Sequence, residues 1–278
     1  MRFGQHLDFW KNFISCRYPV ASVPLTTEEE DRIAHYFKLT HPFHLNAAAI
    51  PGNSISTTSK VGYAYDWFKM ISVSDKRKCH VLFGDIQYIP DEPSFCKSRP
   101  IYTKNQNNVL LPLNTSRHFV FPNDPFSFEK KSDSAVWRGG AYKDLRKNFI
   151  KASQNVQVID AADTSRHSPK TCLGQSRNYL SINQQLRHKF IFALEGNDVA
   201  SNLKWTMYSN STPIMTKPKF ETWFCESLLV PGQHYIEIKE DFSNLEETLD
   251  FYRSHPKLTE EIAKESKEYA SKFINLER

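Results

Sequence analysis

The stretch "HKFIFALEGNDVASNLKWTMYSNSTPIM", residues 188–215, limits what this chain can become more than any other. An apolar run over 190–194 stops at Glu195-Gly196-Asn197-Asp198, and Val199, Leu203 and Met207 then recur every four residues, the spacing of one helix face. Asn197 and Asp198 offer side-chain oxygens as N-caps, Asn210-Ser211 breaks the helix, and residues 212–215 read as the next short strand. Strand, glycine corner, helix and strand in succession form a β-loop-α-β unit. Such a corner puts helix N-terminal amides at the carboxyl edge of a sheet, where α/β proteins hold phosphates. A capped helix on a parallel sheet that binds nothing fits the same pattern.

The rhythm continues through the second half. Strands are expected at 134–137, 156–159, 190–194, 212–215 and 234–238, with helices at 143–152, 179–187, 221–229 and 244–254 and after Asp198, and a polar loop over 161–178. Alternating strands and helices imply a parallel sheet covered on both faces, a Rossmann-like domain when the crossovers are right-handed. After the stop at His255-Pro256, an amphipathic helix carries Ile262, Tyr269 and Phe273 on one stripe and is free to dock on the N-terminal half. The first half is less regular: a helix at 27–37, a Ser/Thr-rich loop "PGNSISTTSK", and strands within "HVLFGDIQYIP" and "RHFVFPND". Pro122, Pro125 and "FEKKSDS" read as a linker near 125–133, so the expected domains are 1–130 and 131–256, the helix of 257–278 docking back on the first.

Composition removes several function classes. With 40% hydrophobic and 13% aromatic residues in 278, the chain has ample core and is not disordered. No apolar run approaches the roughly 20 residues of a spanning helix, and "MRFGQHLDFWKNF" lacks the apolar core of a signal peptide, which predicts a cytoplasmic protein. The five cysteines, at 16, 79, 96, 172 and 225, form no CxxC pair, which argues for reduced thiols and against a zinc site. A net charge of +5 from scattered lysines fits phosphate-bearing ligands or peripheral attraction to an acidic membrane surface, and no nucleic-acid motif accompanies it.

Four clusters carry possible chemistry. In "AVWRGGAYKDLRKNF" a strand ends in Trp137, Arg138 and two glycines follow, and Arg146 lies in the next helix; glycine admits a ligand to the backbone and arginine forks onto phosphate oxygens. The opening corner spans Gly196 to Lys204 and includes Ser201 and Asn202; Lys204 reaches toward a diphosphate or toward solvent. Asp85, after Gly84 at the end of an apolar strand in "FGDIQYIPDEPSFCKSRP", is a candidate general base or a turn cap. "KPKFETWFCESLLVPGQHYIEIKEDFSNLEE" sets aromatics beside Glu221, Glu226 and His234, where core packing is the plainer reading. Asp-x-Asp, Walker A, GxGxxG, G-x-S-x-G and HExxH are absent from the sequence.

In their order, "LFGDIQYIPDEPSFCKSRP", "NVLLPLNTSRHF", "WRGG…R", "LEGNDVASNLKW", "KPKFETWF" and "PGQHYIEIKEDFSNLEE" make the chain resemble glycosyltransferase family 90 from about residue 80 to 255. This group includes CAP10-type proteins, protein O-glucosyltransferases and bacterial lipopolysaccharide glycosyltransferases, and the last branch is the most similar. The resemblance implies a GT-B fold, α/β, with two Rossmann-like domains and parallel sheets facing a central cleft. It implies inverting transfer from a nucleotide sugar, a UDP-sugar in its best-known members, to a glycan or lipid-linked glycan hydroxyl in lipopolysaccharide or capsule synthesis, with no metal. By the same resemblance Asp85 is the catalytic base. Arg138, Gly139, Arg146, Gly196 and Lys204 match the family's donor-site motifs, and Asn197, Asp198, Ser201 and Asn202 of the same corner are expected to bind the donor with them. One position departs: the glucosyltransferases carry an arginine two residues before the lysine, and this chain has Asn202. A catalytically inactive relative that only binds a nucleotide or glycan is the alternative.

Overall fold

A computed structural model describes residues 26–274 apart from 40–42, 44, 56–59, 72–76, 103 and 173–175. The amino-terminal stretch read for targeting signals, Cys16 and part of the Ser/Thr-rich loop lie outside the described residues. The chain divides into two compact units: one runs to Arg117 and also takes Phe220–Cys225, and the other takes His118–Lys219 and Glu226 onward.

In the first unit, α1 (Thr27–Tyr36) begins at a capping box: Glu29 N donates to Thr26 Oγ1 at 3.3 Å, and Thr26 N donates to the Glu29 carboxylate at 2.8 Å. Four strands, β1 (Ile50–Pro51), β2 (Lys78–Leu82), β3 (Ser94–Cys96) and β5 (Asn108–Leu110), form one sheet in the order β1-β2-β3-β5. β1 pairs antiparallel with β2 and the others are parallel, so this sheet is mixed, not the wholly parallel one expected. The connection from β2 to β3, residues 83–93, holds no helix, because Gly84, Pro90 and Pro93 interrupt it. Helix α2 (Val61–Met70) covers the sheet with Tyr63, Ala64, Trp67 and Phe68, packed with Ile55 and Leu113. β4 (Ser98–Pro100) pairs antiparallel with β10 (Phe220–Thr222), a strand returning from far along the chain.

"RHFVFPND" forms no strand. Thr115–His118 is a helical turn whose first amide donates to Asp66 Oδ2 at 2.7 Å, and irregular chain follows.

The second unit is the expected five-stranded parallel sheet. Its strands are β6 (Ser132–Gly139), β7 (Ile159–Asp163), β8 (His188–Phe192), β9 (Thr212–Met215) and β11 (Ile236–Glu237), in the order β11-β9-β8-β6-β7. The chain therefore starts in mid-sheet, steps to one side and then reverses, which places a topological switch point between β6 and β8. Helices α3 (Asp144–Ser153), α4 (Ile182–Gln185), α5 (Leu203–Tyr208), α6 (Leu245–Ser254) and α7 (Pro256–Ser271) complete the unit. Trp137, Phe149, Phe190, Phe192, Ile214, Leu249 and Ile262 are buried in one core, with Phe149 4.5 Å from Phe192 between ring centroids.

Several expectations shift. β7 begins three residues late, with Val156 buried in the preceding turn. Helix α5 begins at Leu203, not at Asp198, since Gly196 N donates to Asp198 O and the buried Val199 and Ala200 sit in irregular chain. Residues 221–229 form β10 and a 3-10 turn over Glu226–Leu228 in place of a helix, with Cys225 at φ 54° between them. The stretch read as a linker is packed into this unit: Phe128 is buried, and Lys131 Nζ meets Asp124 Oδ2 at 2.7 Å and the Leu186 carbonyl. The stop falls where expected: α6 ends at Ser254 with His255 as its cap, and Pro256 sits at the first turn of α7, where a missing amide costs no helix bond. That helix packs on α5 and β9, and Thr212 Oγ1 donates to Thr259 O at 2.9 Å. No helix among the described residues is long and apolar enough to cross a membrane.

Candidate active site

The two glycine corners expected to meet a diphosphate both lie at the carboxyl edge of the second unit's sheet, and they flank its switch point. β6 ends at Gly139, and β8 leads through Ala193 and Leu194 to Glu195-Gly196. One side chain ties them together. Arg146, from the first turn of α3, donates through Nη1 to Gly140 O at 3.2 Å, through Nη2 to Leu194 O at 2.7 Å and through Nε to Glu195 O at 3.0 Å. Its guanidinium also lies 5.9 Å from the centre of the Trp137 ring. Glycine at 196 has a steric cause: a Cβ there would fall 2.9 Å from Arg146 Nη2. A carboxylate braces the first corner from the next strand. Asp163 Oδ1 accepts from Ala141 N at 2.9 Å and Ser165 N at 2.8 Å. Burial alone would raise this carboxyl, but those bonds and one from the Ser165 hydroxyl outweigh it and hold it below the ordinary value.

Arg138, Asn202 and Lys204 have local partners. Arg138 projects to the β7 side, where Nη2 meets both Asp160 carboxylate oxygens at 2.8 Å and Nε donates to Asn178 O at 2.6 Å. Asn202 Nδ2 donates to Phe192 O at 2.8 Å, which fixes the loop to β8. Lys204 is buried, with Nζ 2.8 Å from the equally buried Glu226 Oε1. Asn197 is exposed and Asp198 buried, while Gly196 and Ser201 are half-buried. Gly196, Gly139 and Arg146 thus come together at the switch point, whereas Arg138, Asn202 and Lys204 hold the surrounding chain.

Asp85 belongs to the first unit. Gly84 turns the chain before it at φ +131°, a conformation L side chains avoid, and a Cβ there would strike Lys60 Nζ. The half-buried Asp85 carboxylate accepts from Lys97 Nζ at 2.7 Å and from the Tyr63 hydroxyl at 3.3 Å, both on Oδ1.

The residues 107–278 match the family model "Glycosyl transferase family 90". The whole-chain comparison agrees, with 34% identity over 262 residues to "O-glucosyltransferase LpsA" of Dichelobacter nodosus, 94% of this chain and 82% of that protein. The chain belongs to glycosyltransferase family 90. More distant relatives include "Protein O-glucosyltransferase 1" of Rattus norvegicus, 25% identical over 60% of this chain and 45% of the relative, and "O-glucosyltransferase rumi homolog" of Aedes aegypti, 24% identical over 55% and 40%. The aligned part spans under half of these animal proteins.

The family 90 match contains every candidate donor residue from Arg138 to Lys204, and Asp85 precedes it. Both glycine corners lie where an open α/β sheet takes a ligand, outside the carboxyl ends of strands that flank a switch point. The sequence of this family 90 chain did not point to the partners Asp163, Lys97 and Tyr63, and it marked Glu226 without pairing it with Lys204. Their signals were faint. Asp163 closes a strand of only "IDAAD", and Lys97 stands between two short runs with no periodicity to mark it as buried.

Proposed function

We propose that this family 90 glycosyltransferase moves a sugar from a UDP-sugar to a hydroxyl of a glycan or lipid-linked glycan, with inversion and without a bound metal ion. Its place is lipopolysaccharide or capsule synthesis, in the cytoplasm or at the inner face of the membrane. The name of its bacterial relative LpsA favours the lipopolysaccharide. In this reading the two units correspond to the acceptor-side and donor-side domains of a GT-B enzyme.

One observation carries the reading: two glycine corners locked together by Arg146 at the switch point of a five-stranded parallel sheet. Loop amides of the two corners other than those of Ala141 and Gly196, which Asp163 and Asp198 already hold, take the diphosphate there, and Arg146 supplies fixed positive charge behind them. Arg138, Asn202 and Lys204 shape the loops that present those amides. Asp85 removes the proton from the acceptor hydroxyl as it attacks the anomeric carbon opposite the departing diphosphate.

Calorimetry with UDP and a panel of UDP-sugars in EDTA tests the donor half of the reading; binding that appears only with manganese would end the metal-independent mechanism. Asp85→Asn is expected to bind UDP like the parent chain while transfer falls by about 100-fold or more. Unchanged transfer would remove Asp85 from the base role.

A further inference from the structure

We propose that Lys97 is a positioning residue for this transfer: its ammonium fixes the Asp85 carboxylate and keeps it in the ionised form that accepts the acceptor's proton. The inference rests on the reading of Asp85 as the base.

The geometry is specific. Lys97 is one of the largest fully buried side chains among the described residues, 1% exposed at its side chain, while Asp85 is 26% exposed. Lysine is almost never fully buried without a partner, because removing an ammonium from water costs several kcal/mol. Here Nζ reaches Asp85 Oδ1 at 2.7 Å, close enough for a charge-assisted hydrogen bond. The backbone on either side of Lys97 is held. Cys96 closes β3 opposite Leu110, and Ser98 opens β4 opposite Thr222. The ammonium therefore has little freedom to follow a moving carboxylate; it sets where the carboxylate sits.

Two further titratable groups lie beside this pair, Tyr63 of α2 and Lys60 just before it. Tyr63 donates to the same oxygen at 3.3 Å, and its ring centre lies 6.0 Å from Lys97 Nζ. Lys60 Nζ is bound to the Phe83 carbonyl beside Gly84. Both cations and the phenol favour the carboxylate over the carboxylic acid, and Lys97 is the buried one. A purely architectural ion pair would hold the chain in the same way but would leave the pH dependence of transfer where another group sets it.

The test is the pH profile of kcat/KM for sugar transfer in the full chain and in Lys97→Met, Lys97→Arg and Asp85→Asn. An opposite charge this close lowers an aspartate pKa by about 1–3 units. Lys97→Met is therefore expected to move the acid limb upward by about one pH unit or more, with UDP affinity unchanged. Lys97→Arg should keep the limb near its original position. An unmoved limb in Lys97→Met, or the same upward movement in Lys97→Arg, overturns the proposal while leaving the base reading intact. Retained transfer in Asp85→Asn overturns the base reading itself. If Lys97→Met gives no cooperative melt, carbon-13 titration of the parent chain decides, with the Asp85 signal assigned by its loss in Asp85→Asn. A midpoint below the ordinary aspartate value of about 3.9 supports the proposal, and one at or above it overturns it.

Discussion

Arg146, a residue expected to touch a ligand, holds the two glycine corners together. Its guanidinium donates to three main-chain carbonyls and lies against Gly196 at a distance no Cβ would permit. The two positions should therefore be energetically coupled. Gly196→Ala forces the guanidinium aside, an overpacking cost of about 1–3 kcal/mol. Arg146→Ala leaves three carbonyls without that donor, costing about 1–3 kcal/mol for each that water does not reach. In the double variant the alanine methyl meets no guanidinium, so its loss in urea denaturation should be smaller than the sum of the single losses by about 1 kcal/mol or more. Strict additivity would mean that Gly196 is glycine for another reason. Sequence reading found both residues but gave them to a diphosphate alone, because a glycine that admits a ligand and one that admits an arginine look the same in one dimension.

At the scale of elements, legibility followed periodicity. Helix α1, β6, β9 and α6 appear within a residue or two of where the sequence put them, α1 by its capping box and the others by apolar residues with a marked end. β7 was placed three residues early because "VQVI" has the β-branched residues whereas the strand itself, "IDAAD", is short of them; pairing with β6 decides it. β10 was taken for a helix because "ETWFCESLL" holds apolar residues at helical spacing. What makes it a strand is a buried ion pair that spacing cannot reveal. Glu221, 1% exposed, accepts from Arg99 Nε at 2.7 Å and meets His35 Nε2 at 2.8 Å, and the remaining Arg99 nitrogens donate to the carbonyls of His35, Tyr36 and Asn108. Glu221→Gln would leave the Arg99 charge buried beside a neutral amide. Breaking such a pair costs about 3–5 kcal/mol, and the loss should appear as a lower denaturation midpoint for the first unit. A change under about 1 kcal/mol would show that water reaches Arg99 and that β10 is held by its ladder alone.

For the molecule as a whole, half-buried titratable groups of the second unit set a direction for stability against pH. Burial lowers His188, whose Nδ1 lies 2.8 Å from the Ser134 hydroxyl, and His234, whose Nδ1 accepts from Val230 N at 2.9 Å. A histidine held below its ordinary value is neutral in the folded chain when the unfolded chain begins to take up its proton. Its contribution is full above about pH 6.5 and declines as pH falls from there toward the folded value. Asp163 acts in the same sense at lower pH, since a depressed carboxylate contributes above its ordinary value and loses that contribution as pH falls through the folded one. The net charge of +5, with ten histidines neutral, becomes more positive over the same range, which adds self-repulsion. Melting temperature should therefore fall steadily from pH 7.5 to pH 5.5. His188→Gln removes one of the two neutral imidazoles and should reduce the fall. Equal melting temperatures at the two pH values, or an identical decline in His188→Gln, would assign the acid sensitivity to groups other than His188.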